Sequence, residues 1–341
     1  MITSPAHARR LTRFLRLLPA IFFTVIVAAF SVLSNRFLSL QNFTNILLQA
    51  AHLAVMAVGM TFVLLVAGVD LSVGATMYVA AVSLGLYLSA FPAWLCLLIA
   101  IAIGVAFGAV NAFFVVKLRV APFIVTLATL FVGRGVGLYL SDTRMVLAGS
   151  AVSDFAHESS LGVPAPVFVA AVSLAVAFVL LRLTPFGRYV YAIGGDREGA
   201  RKTGINVEKV TFAVYCLCGA FAAVGGFISL SQAAAAPSTF GERKEFLVIA
   251  AAVLGGTSLF GGHGGLLGPV FGAILIQTVQ NGLVMIDADP YIYPLITAAI
   301  IFIAVLVDSL RAGAIARLER RRIRAEEQET RAEEQETLAS T

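Results

Sequence analysis

Residues 59–74 read GMTFVLLVAGVDLSVG, in which two apolar runs are separated by one charged residue, Asp70. The runs extend far enough on either side to predict membrane-spanning helices over residues 46–67 and 70–90, because about 20 apolar residues cross the roughly 30 Å of bilayer hydrocarbon. A charge within such a segment usually faces a cavity or a partner. An aspartate ahead of an apolar run is also a common helix cap, and the sequence permits both roles for Asp70.

Similar apolar runs recur along the whole chain of 341 residues, of which 59% are hydrophobic and 13% charged. A soluble domain cannot cover that much apolar surface, so the composition predicts an all-α, polytopic membrane protein. The basic residues lie at the ends of the runs rather than in a stripe with interleaved aromatics, which argues against nucleic acid as a partner. We predict about ten spans, over residues 17–34, 46–67, 70–90, 94–116, 122–140, 164–183, 210–232, 246–261, 264–286 and 291–310.

The distribution of positive charge predicts the orientation of the chain. Most of the 24 Lys and Arg residues fall on the side that holds both termini, and an excess of this kind marks cytoplasmic segments. We therefore expect a basic cytoplasmic N-terminus (1–16), a transmembrane domain (17–310) with one long cytoplasmic loop (184–209), and a charged cytoplasmic tail (311–341). The arginines that open the tail are expected to contact anionic membrane lipid.

The sequence shows no arrangement typical of an enzyme or a metal site. The four histidines are isolated, no HExxH motif is present, and no span brings together a nucleophile, a base and an orienting acid. We therefore expect neither a catalytic residue nor a bound metal ion.

Residues 186–205, FGRYVYAIGGDREGARKTGI, approach a phosphate-binding loop without completing it. A P-loop reads GxxxxGK[ST] and follows a strand. Here Arg201 occupies the position of the second glycine, and no strand is predicted before the stretch. We expect no cofactor on this chain, so that any ATP and Mg²⁺ that drive it are bound by another subunit.

The glycines fall into two kinds of pattern. Pairs spaced by four residues, such as Gly104 with Gly108 and Gly133 with Gly137, predict close helix packing. The stretch 254–268, LGGTSLFGGHGGLLG, is too rich in glycine for a continuous helix and predicts a broken or re-entrant segment lined by protein.

Polar residues in or beside the spans are candidates for a translocation path. Arg134 lies deep in TLATLFVGRGVGLYL, where its long side chain either reaches the outer surface or faces a functional cavity. The path candidates are Asp70, Ser72, Arg134, Thr257, Ser258 and Asn281.

Four separated motifs resemble the membrane-spanning permeases of ribose-type sugar ABC importers. They are GMTFVLLVAGVDLSVG (59–74), APFIVTLATLFVGRG (121–135), TPFGRYVYAIGGDREGARKTGI (184–205) and VLGGTSLFGGHGGLLG (253–268). The DLSVG block favours the sugar branch over the related branched-chain amino-acid permeases. Two positions depart from the usual pattern, because Ala67 stands in place of a glycine and Asp196 in place of an asparagine.

The resemblance implies a type II ABC importer fold with about ten helices per subunit and two permease subunits around one pathway. It also implies a periplasmic or lipid-anchored sugar-binding protein and a cytoplasmic ABC ATPase, often with two fused nucleotide-binding halves. Such a protein resides in the bacterial inner membrane and itself makes and breaks no bonds.

We expect the loop 184–209 to dock on the ATPase. Phe186 and Tyr189 are predicted to anchor it in an apolar pocket, the glycine pair to form a sharp turn, and a short helix to begin near Asp196. The coupling residues proposed from the motif are Phe186, Gly187, Arg188, Gly194, Gly195, Asp196, Arg197, Ala200, Arg201 and Gly204.

The sequence therefore predicts a permease subunit that imports a monosaccharide or related polyol by alternating access, driven by a separate ATPase. A self-sufficient secondary transporter or facilitator for a small polar solute is the alternative. Ion coupling would favour acidic residues within the spans, and apart from Asp70 these are scarce. The identity of the sugar, and whether the second permease subunit is an identical copy or a paralogue, are left open.

Overall fold

A computed structural model describes residues 21, 23–160, 163–299, 301–303 and 306. The basic N-terminus, the charged tail with its repeated RAEEQET, and parts of the first and last predicted spans lie outside these residues. The α-helices in chain order are α1 (Phe23–Leu33), α2 (Leu40–Leu65), α3 (Val73–Tyr87), α4 (Ala93–Ala112), α5 (Pro122–Ser141), α6 (Ser150–Phe155), α7 (Ala165–Phe178), α8 (Pro185–Gly195), α9 (Arg197–Lys202), α10 (Val207–Ala233), α11 (Lys244–Leu254) and α12 (Leu267–Met285).

Non-α elements are short. Helices α4 and α7 each continue into a π-helical turn, Phe113–Lys117 and Val179–Leu183, and a 3-10 turn (Pro290–Ile292) leads into helical residues 293–299. Four two-residue strands form two antiparallel pairs, β1 (Val146–Leu147) with β4 (Ala235–Ala236) and β2 (Ser159–Ser160) with β3 (Val163–Pro164). The described chain is therefore mostly helical.

Six helices in the described ranges are long and apolar enough to cross a membrane. They are α2, α4 with its π turn, α5, α7 with its π turn, α10 and α12. Helices α1 and α3 and the helix that starts at Pro290 are apolar but shorter. A polytopic helical membrane protein is thus confirmed, whereas the number of ten spans stays a prediction.

Helix α2 occupies the centre of the unit formed by residues Leu38–Asn281. It is buried along most of its length by α10, α7 and α11, whereas α4, α5 and α7 keep most of their apolar surface exposed. This difference matches helices that are surrounded by protein and helices that face lipid. In the second unit, which contains α1 and the residues from Gly282 onward, the Phe30 ring packs directly against Gly282.

Glycines allow α4 and α10 to pack backbone against backbone. A Cβ atom on Gly104 would collide with the Gly219 carbonyl, and one on Gly219 would collide with the Gly104 carbonyl. One turn along, Gly108 lies against the Tyr215 carbonyl in the same way. The predicted role of the four-residue glycine spacing in close packing is therefore confirmed here.

The predicted helix 246–261 is wrong in its second half. Helix α11 ends at Leu254, and residues 255–266 form an irregular segment, which we call the glycine loop. Four of its glycines, at positions 256, 261, 262 and 264, have positive φ angles that other residues rarely adopt. The predicted break in this stretch is confirmed, and the next helix begins at Leu267 rather than at 264.

We expect Gly104→Ala to destabilise the protein even though alanine favours a helix by about 1 kcal/mol over glycine. The added methyl would separate α4 from α10, and such overpacking costs about 1–3 kcal/mol. The melting temperature in detergent should therefore fall. Gly135→Ala in α5 is the matched control, because no atom lies within 4 Å of its added Cβ. A Gly104→Ala protein as stable as this control would contradict the packing.

Candidate functional site

The loop 184–209 folds into two helices, α8 and α9, joined at Asp196. The Asp196 side chain accepts hydrogen bonds from the backbone N–H groups of Glu198 and Gly199, each at 3.0 Å, and so caps α9. This satisfies two of the free donors at the start of that helix. The predicted short helix beginning near Asp196 is confirmed.

Helix α8 is fixed to the C-terminal end of α2 and to the glycine loop. The Phe186 ring stacks on Phe62 of α2 with 6.2 Å between ring centroids. Gly194 lies in direct backbone contact with the Leu65 carbonyl, and the Tyr191 hydroxyl donates to the Gly264 carbonyl at 2.9 Å. Helix α8 therefore cannot shift without moving the segments on which it rests.

One prediction about this loop is wrong. Gly194 and Gly195 form the last residues of α8 rather than a sharp turn before α9, and Gly194 is required for the close approach to α2. Phe186 stacks on Phe62 of its own chain and is half-exposed, and its predicted anchoring in a pocket of the ATPase stays a prediction. Tyr189 does remain 40% exposed.

The outer face of α8 and α9 is basic. Arg188, Arg197 and Arg201 are exposed, whereas Ala200 is buried where α9 folds back on the protein. Gly204, with a φ of 87°, ends this hairpin of helices in a conformation suited to glycine. Gly187 is buried against the Leu181 carbonyl, while Gly195 has open space around it. The loop thus presents a rigid, positively charged surface, which we call the basic loop face (Arg188, Tyr189, Gly195, Arg197 and Arg201).

Asp70 lies in a buried polar cluster between α2, α3 and α4. Its Oδ1 accepts hydrogen bonds from the Ser72 backbone N–H at 2.9 Å and from the Ser72 hydroxyl at 2.6 Å. Asn111 of α4 donates through Nδ2 to the Ser72 hydroxyl at 2.8 Å and to Asp70 Oδ1 at 3.3 Å. These donors offset the cost of burying the carboxyl group. Ser72, not Asp70, is the N-cap residue of α3, so the predicted capping role is wrong, and Asp70 instead positions the cap residue.

Arg134 is held by protein rather than reaching the membrane surface. Its Nη1 donates to the Phe240 carbonyl, and its Nη2 donates to the Ser238 carbonyl at 3.2 Å. Nη2 also pairs with Glu242 at 2.8 Å, and the guanidinium lies 4.7 Å from the centre of the Tyr78 ring. Arg134 therefore supplies hydrogen-bond donors to backbone carbonyls of the irregular segment between β4 and α11.

The remaining path candidates lie in the glycine loop and on α12. Thr257 is buried, while the Ser258 hydroxyl accepts a hydrogen bond from the Phe260 N–H at 3.1 Å and so shapes the loop locally. Asn281 is buried near the end of α12. Asp70 and Ser72 contact each other directly, but no hydrogen bond between described residues joins that pair to Arg134, Thr257 or Asn281.

The structure reveals a polar group that the sequence reasoning missed. Lys244, at the start of α11, donates a hydrogen bond to His52 Nε2 of α2 at 3.2 Å. One turn away, Gln277 of α12 donates to Gln49 Oε1 of α2 at 2.7 Å. We call these four residues the central polar group. The sequence feature that could have revealed this group is the i, i+3 spacing of the polar residues Gln49 and His52 within an apolar helix.

Comparison with known proteins places the chain in a transport family. Residues 42–306 match the family described as branched-chain amino acid transport system, permease component. The chain belongs to this permease family. Together with the six apolar helices, this makes the permease a multi-pass inner-membrane protein.

Curated relatives of the permease are sugar importers by name. It is 39% identical over 294 residues to the ribose import permease of Escherichia coli K12, which covers 84% of this chain and 91% of the relative. It is 37% identical over 288 residues to the ribose import permease of Bacillus subtilis strain 168, covering 83% and 89%. For the D-allose transport system permease of E. coli K12 the identity is 36% over 293 residues, covering 84% and 89%. No solved structure matches the permease.

The resemblance to ribose-type sugar importer permeases, predicted from four motifs, is thus confirmed. The individual roles of the coupling and path residues stay predictions, because the relatives establish the family and not the function of single side chains.

We expect Arg134→Lys to lower the melting temperature of the permease in detergent. Lysine keeps the charge but lacks the planar fork that holds two carbonyls and Glu242 together. Leaving such buried acceptors unpaired costs about 1–3 kcal/mol.

The control is Arg144→Lys, because Arg144 pairs with Asp142 on the surface with its side chain 81% exposed. Exposed ion pairs contribute about 0–1 kcal/mol, so this control should melt close to the native protein. Equal melting temperatures for the two variants would show that Arg134 does not hold the segment.

Proposed function

We propose that the permease is the membrane-spanning subunit of an ATP-driven importer of a monosaccharide or related polyol. The observation that carries this proposal is the extent of its similarity, over more than four fifths of the chain, to permeases named for ribose and D-allose. Relatives named for xylose and for galactose support the same class. The incomplete phosphate-binding motif supports nucleotide binding on a partner ATPase rather than on this chain.

The basic loop face is the surface that we propose docks on the ATPase from the cytoplasm. Its arginines can form paired, charge-assisted contacts with carboxylates of a partner. Because α8 is fixed to α2 through Gly194 and Leu65, a movement of the ATPase would be passed to the central helix instead of being absorbed by a flexible loop. Such rigid-body motion is a common basis of alternating access.

The further partners follow from the same proposal. A second permease subunit, identical or paralogous, completes the pathway, and an extracytoplasmic sugar-binding protein delivers the solute. Both termini lie in the cytoplasm, as the excess of positive charge on that side favours. The permease itself has no catalytic role, and ATP and Mg²⁺ are handled by the ATPase.

Uptake by cells that lack the permease gene tests the proposal. We expect loss of uptake of at least one of radiolabelled D-ribose, D-xylose, D-allose and D-galactose, and restoration by a plasmid-borne copy. Depletion of ATP should abolish the restored uptake. Sugar transport by vesicles that contain this chain alone, without ATPase or ATP, would instead establish the secondary transporter.

Gly195→Trp tests docking of the loop. No atom lies within 4 Å of a Cβ added at Gly195, so the chain itself can accommodate a large side chain there. We expect the variant to reach the membrane in native amounts but to lose copurification of the ATPase and most of its uptake, because the indole would separate the two surfaces.

The control is Ala90→Trp, an exposed position in the turn between α3 and α4. It should retain the ATPase. If Gly195→Trp also retains both the ATPase and uptake, the basic loop face is not the docking surface.

A further inference from the structure

The central polar group lies near the middle of α2, a helix long and apolar enough to cross a membrane. Gln49 and His52 are roughly 14 and 18 Å from Leu40 along α2, at 1.5 Å per residue, and the bilayer hydrocarbon is about 30 Å thick. Helix α11 has 11 residues and begins at Lys244, so it is roughly half as long as a spanning helix. Four polar side chains from α2, α11 and α12 therefore meet at a depth where lipid offers no hydrogen bonds.

Lys244 has no counter-charge in the part of the chain that the structure describes. The two neighbouring carboxylates are engaged elsewhere, since Glu242 pairs with Arg134 and Glu245 is buried against Gly74. The positive end of the α11 helix dipole adds to the unfavourable electrostatics at this position. A cation without a counter-charge in a membrane-spanning region is energetically unfavourable. Such residues usually face an aqueous pathway or a partner.

The geometry leaves hydrogen-bonding groups for a solute. A lysine ammonium has three donors, of which His52 Nε2 takes one. Gln49 is exposed, and its Oε1 is used by Gln277 while its NH₂ group makes no hydrogen bond to the described residues. Lys244 and Gln49 together offer unused N–H donors from two helices.

We propose that Lys244 and Gln49 form a contact site for the solute within the pathway, which donates hydrogen bonds to sugar hydroxyl oxygens. The inference rests on the proposed function and deepens it by naming a specificity-determining site. Because the site offers donors and positive charge, it favours neutral or acidic polyols and disfavours amino sugars, whose ammonium group would be repelled by Lys244. His52 and Gln277 position the two donors.

Lys244→Met tests the site in vesicles that contain the permease, its ATPase and its binding protein. We expect maximal uptake of the best sugar among ribose, xylose, allose and galactose to fall about 10-fold or more, because a charge-assisted hydrogen bond in the pathway is lost. ATP hydrolysis and the melting temperature should stay near native values, since methionine fills a similar apolar volume. Lys244→Arg should retain most of the uptake.

Gln49→Leu provides a second variant at an exposed position that tolerates an apolar side chain. We expect reduced uptake at unchanged ATP hydrolysis, as for Lys244→Met. Native uptake by either folded variant would overturn the site. A lower melting temperature with proportional loss of ATP hydrolysis would indicate a purely structural role and would overturn it as well.

The accessibility of position 49 to water distinguishes failure of this site from failure of the proposed function. In Gln49→Cys, a membrane-impermeant, water-soluble thiol reagent should label the protein above the level of the native chain, whose Cys96 and Cys218 are buried and Cys216 half-buried. This readout needs no sugar, so it stands even if the native complex imports none of the four. Labelling no greater than that of the native chain would show that Gln49 faces lipid or protein, and the site would be rejected.

Discussion

Every backbone N–H and C=O group within the hydrocarbon of a bilayer must find a partner inside the protein. Helices meet this requirement by themselves, whereas irregular segments do not. Among the described residues, three such segments are the link between α2 and α3, the stretch between β4 and α11, and the glycine loop. Each receives hydrogen-bond partners from a side chain or from backbone outside a regular helix ladder. Asp70 accepts from the Ser72 N–H, Arg134 donates to two carbonyls before α11, and the Gly262 N–H donates to the Leu65 carbonyl at 3.0 Å. Asp70 and Arg134, the charged residues that stand out in the sequence, thus supply hydrogen-bond partners to backbone groups outside the helices.

Helix α2 connects the parts of the molecule to which we assign function. Its C-terminal end carries α8 and the glycine loop, and its middle carries Gln49 and His52 of the central polar group. The same helix is buried along most of its length, so displacement at one end is transmitted by packed protein rather than lost in lipid. In the proposed importer, this arrangement would connect the surface that docks on the ATPase with the proposed solute contact site.

Sequence reasoning succeeded where a local signal was sufficient and failed where long-range contact decided. The glycine-rich stretch predicted a broken helix, and the motifs predicted the family, because both depend on residues close in sequence. Gly194 was misassigned to a turn, because its role arises from contact with Leu65, more than a hundred residues away. The stacking of Phe186 on Phe62 is likewise visible only in three dimensions. Lys244 was placed before the predicted helix 246–261 because nothing local indicated its hydrogen bond to His52 of α2.

The sequence by itself determined that the chain is a helical, polytopic membrane protein of the permease family, because hydrophobic run length and contiguous motifs are one-dimensional properties. It also indicated that the glycine-rich stretch 254–268 interrupts the helices, since glycine content sets the local backbone freedom. Only the tertiary structure decided which polar residues complete the fold and which remain available to a solute. That distinction depends on which donors and acceptors the neighbouring helices already satisfy. Arg134 has carboxylate and carbonyl partners in place, whereas Lys244 has a single partner among the described residues, a histidine nitrogen.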